Sequence, residues 1–309
     1  MRGRMNILVT GGAGYKGLKL AEALLERGHR VTVLDNFMYG YDAALFLFRY
    51  PLASFVKKDI RNIEKADVAG HDVVFHLAGI SGYPACEANP HSAQAINVGG
   101  TEKLLSCMDG RQLMVYASTT SIYGQVGTLC TEDTPIEPAS LYAITKYEGE
   151  KLCRQYSPSI AFRFATIYGV APKMRWDLMP NDFVMRAVQE RSLVLFDSRS
   201  VRTFLHLDDA IGAYLMVLEN SGPMIGHVYH VGCEQGNLSK LQLAEEIRTQ
   251  VDFAIIDSTV PDLDVRNFII NFDKISALGF VPRKTLQEGI AELVKLFRFF
   301  RPTQAYRVI

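Results

Sequence analysis

The sequence predicts an α/β fold, a doubly wound parallel sheet joined to a smaller α+β domain. Two observations predict it. Short, nearly continuous apolar runs of β character alternate with helical patterns through the first third of the chain. Strands that alternate with helices form parallel sheets through right-handed crossovers, and apolar strands of this kind fit a sheet covered on both faces. The pattern then changes after about Gly169, where Pro172, Pro180 and Pro223 punctuate the chain. Residues 1–168 are expected to form the doubly wound domain. Residues 169–309 would supply most of the smaller, substrate-binding domain, with the segment around 202–234 returning to the first.

The elements follow in order. Asn6 to Thr10 is an apolar run that ends in glycines. Leu18 to Glu26 has helical spacing, with Leu18, Ala21, Leu24 and Leu25 on one face, and Gly28 stops it. Arg30 to Leu34 is a second strand that ends at Asp35. Val73 to Leu77 and Leu113 to Ala117 are two more strands of the buried type. Ser92 to Met108 and Leu141 to Gln155 are helices with more apolar positions than one sheet face needs. Asp262 to Asn271 is a polar connection before a short strand, and Leu286 to Phe300 is an amphipathic helix. Arg301 to Ile309 has no period and is expected to be a surface tail.

The chain has 309 residues, of which 48% are hydrophobic and 21% charged, enough for a sizeable core. Lysine plus arginine is 33 and aspartate plus glutamate is 33. A neutral chain offers no electrostatic footprint for nucleic acid or an anionic membrane, so local arginines must hold any anionic ligand. The five cysteines, Cys86, Cys107, Cys130, Cys153 and Cys233, contain no C-x-x-C pair. That spacing suits neither a disulfide framework nor a zinc site, and no metal is expected. No apolar run is long enough to span a membrane. The basic start, Met1 to Met5, is followed only by Ile7-Leu8-Val9, too short for a signal peptide, so a cytoplasmic location is expected.

Thr10-Gly-Gly-Ala-Gly-Tyr-Lys-Gly17 follows the first strand and opens a helix. Gly11, Gly14 and Gly17 would permit the tight turn, the approach of a pyrophosphate and close packing of helix on sheet. The helix N-terminus then faces the phosphates. Asp35 stands where a carboxylate accepts hydrogen bonds from the adenosine ribose. Asn36 and Phe37 follow it, with no arginine to meet a 2′-phosphate. The expected cofactor is therefore NAD rather than NADP, in a Rossmann arrangement.

Further motifs lie in register along the chain: Lys58-Asp-Ile-Arg61, His76-Leu-Ala-Gly79, Asn97-Val-Gly-Gly-Thr101, Ser118 to Gly124, Tyr142-Ala-Ile-Thr-Lys146, Arg163 to Gly169 and Arg202 to Asp209. Together with the glycine loop they resemble the extended short-chain dehydrogenase/reductases, in the nucleotide-sugar epimerase/dehydratase branch typified by UDP-glucose/galactose 4-epimerases. The resemblance implies that Tyr15 and Lys16 of the loop, Asn36, and Leu77, Ala78 and Gly79 run beside the cofactor. It places Asp59 and Ile60 at the adenine and gives Asn97 the bracing of the sheet behind the active site. It gives Arg202 and Arg266, the latter within Asp264-Val-Arg266, to the substrate diphosphate. Leu178, Val194 and Phe196 would enclose the nucleotide base, and Ser81, Thr119, Thr120, Thr166 and Arg175 would meet the rest of the substrate.

Tyr142 and Lys146 share one face of a helix, one turn apart. An isolated pair of this kind is usually a solvated helix face. Here it follows Thr119 at the spacing of the resembling family. The resemblance implies that Tyr142 takes a proton from a sugar hydroxyl as hydride leaves for NAD, that Lys146 favours the phenolate and holds the nicotinamide ribose, and that Thr119 relays the proton. His206 is expected to be structural, before a helix capped by Asp208.

Three positions depart from the family pattern. Lys16 replaces an isoleucine, and either adds a cation near the pyrophosphate or points to solvent. Thr166 replaces the asparagine of Arg-x-x-Asn. Only residues 197–201 separate Phe196 from Arg202, a shortened loop on the base side. Family dehydratases carry an Asp-Glu pair after the catalytic threonine, where this chain has Thr120 and Ser121. The expected reaction is therefore reversible 4-epimerisation of a nucleotide-diphospho-sugar through a transient 4-keto sugar, not 4,6-dehydration. A C4 dehydrogenase or ketoreductase is the runner-up, and a non-catalytic NAD(H)-binding regulator is the rival from another class. In the resembling family the two apolar-rich helices form an intersubunit four-helix bundle, which implies a homodimer.

Overall fold

The computed structural model describes residues 3–262 and 266–302. The expected tail from residue 303 onward lies outside the described residues, as do Asp264 and Val265. The chain runs β1 (Asn6–Thr10), α1 (Tyr15–Glu26), β2 (Arg30–Asp35), β3 (Ala53–Lys57), α2 (Lys65–Val68) and β4 (Val73–His76). Then come α3 (Tyr83–Ala88), α4 (Pro90–Gln94), α5 (Gly100–Cys107), β5 (Leu113–Thr119), β6 (Gln125–Cys130), α6 (Leu141–Gln155), β7 (Ser159–Phe164) and β8 (Thr166–Tyr168). The second part holds α7 (Met179–Gln189), β9 (Ser192–Phe196), β10 (Val201–His206), α8 (Leu207–Asn220), β11 (Val228–Val231) and β12 (Asn237–Ser239). It closes with α9 (Lys240–Arg248), β13 (Ala254–Ser258), β14 (Asn267–Ile270), α10 (Asp273–Ser276) and α11 (Leu286–Phe299).

Seven strands form one parallel sheet in the order β11-β7-β5-β4-β1-β2-β3. This is the doubly wound arrangement that the alternating pattern predicts. The strand order reverses between β1 and β4, and ligands bind at such a switch point above the carboxyl ends of the strands. The sheet is buried on both faces because its strands are apolar at odd and even positions alike. In β1, Ile7 and Val9 join the core beneath α1 and α8, while Leu8 joins the core on the face of α5 and α6. The outermost strand, β11, comes from the segment between β10 and β12, so the chain does return to the large sheet after residue 202. A three-stranded sheet, β12-β10-β8, and two parallel pairs, β13-β9 and β14-β6, make up the rest.

Several boundaries differ from the sequence reading for physical reasons. β5 runs on to Thr119 because its parallel partner β7 continues to Phe164, opposite it. The helix expected over Ser92 to Met108 is interrupted by a π turn at Ala95–Gly99. The wider turn carries Asn97, whose side chain holds both backbone groups of Ile80 and also donates to Thr145 Oγ1. β14 starts at Asn267, inside the stretch expected to be a connection, because it pairs with the distant β6. The N-cap of α8 is His206 rather than Asp208. The His206 ring accepts from the Asp208 backbone amide, and Asp208 pairs with Lys19 of α1 at 3.2 Å.

Below the strand ends lies a buried polar network. Arg163 of β7 makes a forked ion pair with Glu150 of α6, at 2.7 Å from Nη2 to Oε1. Glu150 also accepts from Ser118 Oγ at 2.6 Å, and Arg163 donates to the Tyr123 hydroxyl at 2.6 Å. Both partners of the ion pair are fully buried. Removing one leaves the other charge uncompensated, which typically costs about 3–5 kcal/mol. Glu150→Ala is therefore expected to lose stability on that order in a denaturant melt. A loss within the scatter of surface substitutions would show that water or a neighbour compensates Arg163.

Candidate active site

A cleft of about 780 Å³ opens above the strand ends, between the large sheet and the second half of the chain. The glycine loop forms its floor. Gly11 has φ +66°, and a Cβ on it would stand 2.6 Å from the Ala78 amide nitrogen. A Cβ on Gly17 would stand 2.3 Å from the Gly11 carbonyl oxygen, so this glycine lets α1 press onto the loop. Gly12, which the sequence reading passed over, is equally constrained, with Val9 O 2.8 Å from its would-be Cβ. Gly14 is less crowded by protein and lines the cleft. It is also the N-cap of α1, with no side chain on the free amides and no acid in the first turn. Such a helix end is a ready anion site.

Asp35 ends β2 at the cleft. Its carboxylate accepts from the Ala13 amide at 3.0 Å and the Phe37 amide at 2.8 Å. Burial pushes its pKa up, and these amides and Lys173 oppose the rise. The carboxylate is met by the charge of Lys173. This cation comes from a distant loop, donates to Tyr39 O and faces Asp35. No local sequence signal announces it. Asp59 lines the same end, locked by a two-pronged ion pair to Arg61 that holds its pKa down at about 2. Asn36, Ile60, Leu77, Ala78 and Gly79 line the cleft with it.

At the other end α6 presents Tyr142 and Lys146 into the cleft. Ser140 caps this helix by accepting from the Ala143 amide. Lys146 is buried, with its ammonium 4.2 Å from the centre of the Tyr116 ring. Burial lowers its pKa to about 8. Thr119 ends β5 beside them and donates to Ser121 Oγ at 3.1 Å. Ser121 in turn accepts from Arg266 Nη1 at 2.5 Å. Arg202, buried in β10, donates to the Arg266 backbone oxygen, so both expected diphosphate arginines meet at one wall.

Tyr15, Lys16, Ser81, Thr166, Arg175, Leu178 and Phe196 also line the cleft. Tyr15 ties the loop to the second half through its hydroxyl, which donates to Gly169 O at 2.7 Å. Arg175 is clasped by Asp177 at 2.6 Å and donates to Ser81 O. Two expected substrate contacts are placed elsewhere. Thr120 turns away and donates to Phe164 O, because the 3₁₀ turn after β5 rotates it off the cleft face. Val194 is exposed on β9 and does not border the cleft. Tyr39, Met179 and Val260 do border it, though no motif marks them. Lys16 stands in the first turn of α1 and lines the cleft. It reaches inward over the Phe164 ring.

Comparison with known proteins fits this geometry. The sequence profile of the NAD dependent epimerase/dehydratase family matches residues 7–232. The chain belongs to this family. Among curated proteins it is 32% identical to the uncharacterized UDP-glucose epimerase YtcB of Bacillus subtilis (strain 168), over 79% of this chain and 82% of that one. It is 31% identical to the UDP-N-acetyl-alpha-D-glucosaminuronate decarboxylase of Bacillus cytotoxicus, over 94% and 97%. The crystal structure of a UDP-glucuronic acid 4-epimerase from Bacillus cereus, with UDP-glucuronic acid and NAD, superposes with a TM-score of 0.83 at 26% identity, covering 95% of this chain and 99% of that one. As a member of the NAD dependent epimerase/dehydratase family the chain uses NAD. The glycine cradle, the uncapped end of α1 and the Asp35 carboxylate suit that dinucleotide.

Two outcomes follow from this electrostatics. Asp35→Ala is expected to narrow the preference for NAD over NADP in calorimetric titrations, since the ribose acceptor and the repulsion of a 2′-phosphate go together. Equal affinity of the unaltered protein for both cofactors would contradict that role. The second outcome concerns pH. Lys16 and Lys146 have pKa values lowered to about 7 and about 8, below the ordinary lysine value of 10.5. The unfolded chain therefore binds more protons than the folded one between those values and 10.5. Stability of the cofactor-free protein should rise with pH through that window. Lys146→Met should flatten the rise in thermal melts, and an unchanged slope would show that Lys146 stays solvated.

Proposed function

We propose that this chain is a nucleotide-sugar 4-epimerase that works through a transient 4-keto sugar. The observation that carries the reading is the convergence of Thr119, Tyr142 and Lys146 on one cleft, with hydroxyls rather than carboxylates at the two positions after Thr119, Thr120 and Ser121. NAD supplies the acceptor and donor of hydride. Tyr142 takes the proton of the C4 hydroxyl as hydride leaves C4. Lys146 one turn away stabilises the phenolate, and Thr119 holds the reacting oxygen. The keto sugar then turns over to offer its opposite face, and Tyr142 returns the proton to the C4 oxygen as hydride comes back to C4. Arg202 and Arg266 hold the diphosphate throughout, which anchors one end while the sugar rotates.

Elimination of water across C5 and C6 needs a further acid and base. Thr120 is bonded to a backbone carbonyl and Ser121 is engaged by Thr119 and Arg266. Hydroxyls lie outside the useful range for that work near neutrality. If rotation is blocked, the same residues make a C4 dehydrogenase or ketoreductase. With a uronic acid substrate, a 4-keto sugar is also a β-keto acid and can lose its carboxylate. The likeness to a decarboxylase and the cation Arg175 in the cleft favour that as the second reading.

Product analysis of UDP-, GDP-, CDP- and dTDP-sugars, with uronic acids included, tests the proposal. A C4 epimer with no net NADH supports it. A released 4-keto sugar, a pentose or a 4-keto-6-deoxy sugar overturns it. Tyr142→Phe keeps the ring and loses the proton acceptor, so turnover should fall by about 10²–10⁴-fold with NAD still bound.

A homodimer is part of the same reading. Ile144 is exposed, and Val98 and Leu152 are only partly covered, on the outer faces of the π turn and α6. These are the helices expected to pair with a second copy. Sedimentation should give a dimer at micromolar concentration, and a monomer there would remove the claim.

A further inference from the structure

Lys16 stands where the family resemblance expects isoleucine, in the first turn of α1. Its ammonium lies 4.5 Å from the centre of the Phe164 ring. Phe164 ends β7 directly opposite Thr119 of β5. The cation is therefore held above the strand ends that carry the reaction site, away from the Asp35 end of the cleft. Among the described residues Lys16 makes no hydrogen bond and no ion pair. The charges that face it are Lys146 of α6 and Arg175 of the loop before α7, both positive. Burial and these two cations lower its pKa to about 7. An isoleucine would fill the same space at no electrostatic cost, so the charge calls for a role.

The nicotinamide ring supplies a reason for it. It must lie beside Tyr142 and Lys146 for hydride to pass as the base acts. Its ring is positive when oxidised and neutral when reduced, while the pyrophosphate charge is the same in both forms. At pH values below about 7, where Lys16 carries its charge, a cation fixed nearby therefore disfavours NAD⁺ relative to NADH. We propose that Lys16 is an electrostatic tuning residue that biases the bound cofactor toward NADH. This rests on NAD as the cofactor and not on the 4-epimerase reading.

The test is the midpoint potential of bound NAD in the purified holoenzyme. It is poised against mediator dye couples and followed by NADH fluorescence, for the unaltered protein, Lys16→Met, Lys16→Ile and Lys16→Arg. Lys16→Met and Lys16→Ile should show an about tenfold lower NADH:NAD⁺ ratio at a given poise, a fall of about 30 mV. Lys16→Arg should stay close to the unaltered protein. Either apolar variant suffices if the other fails to fold, since isoleucine is the family residue. An unchanged potential overturns the proposal. So does loss of NAD at unchanged potential, which would assign Lys16 to the pyrophosphate, or weakened binding of nucleotide-uronic acids alone, which would assign it to a substrate carboxylate.

Discussion

Glu150 sits two turns along α6 from Tyr142 and one from Lys146, so the three side chains share a face. Its ion pair with Arg163 fixes that face against β7, and its bond from Ser118 fixes it against β5 one residue before Thr119. A single buried carboxylate thus sets the base helix and the threonine strand relative to each other. Taking two charges out of water is costly, and the cost is offset only where the remaining polar atoms are satisfied. Here Arg163 also reaches Tyr123 and the Glu132 carbonyl, and Tyr123 passes the chain on to His230. Burial holds His230 well below the usual histidine range, at about 4, so the ring is neutral and bonds without adding a charge.

A second constraint acts from the opposite wall. Asn97 cannot reach both Ile80 and Thr145 from a regular helix, and the π turn supplies the extra residue that lets it. Thr145 lies on α6 next to Lys146. The loop after β4 and the catalytic helix are therefore tied through one amide side chain. A Cβ on Gly79 would stand 2.8 Å from that amide oxygen, so a side chain there would push the amide off its partners. The brace that the family resemblance assigns to Asn97 acts on the cleft loop and helix rather than on the sheet itself.

What was legible in the sequence followed from periodicity and backbone need. The ends of β1 and β2 are legible because glycine and aspartate mark them chemically, and α6 is legible from its apolar positions. The glycine loop is legible because Gly17 answers a steric demand within the loop and Gly11 takes a positive φ, whereas the crowding of Gly11 by Ala78 is not local. The rest depends on contacts distant in sequence. Nothing near Asp35 announces Lys173, and nothing near Gln125 announces that β6 pairs with β14. The resemblance gives Thr120 to the substrate, whereas a 3₁₀ turn begins at that residue and its hydroxyl donates to Phe164 O. Val194 shares a strand face with Phe196 but stands one pleat farther from the cleft.

The chain is neutral as a whole, yet its cleft is polarised. Asp35 and Asp59 stand at one end, while Lys16, Lys146 and Arg175 gather at the other, with Arg202 and Arg266 on the wall. Charge of this kind is invisible in composition and too well buried to steer ligands from a distance. Its effect is local. Lys16 and Lys146 repel each other and are both desolvated, which destabilises the folded chain. Ligands that bring phosphates relieve that strain, so binding and folding become coupled. The oxidised ring adds one more positive charge to the same end, and hydride capture removes it. The protein therefore concentrates its electrostatic tension on the one step in which the ligand changes charge.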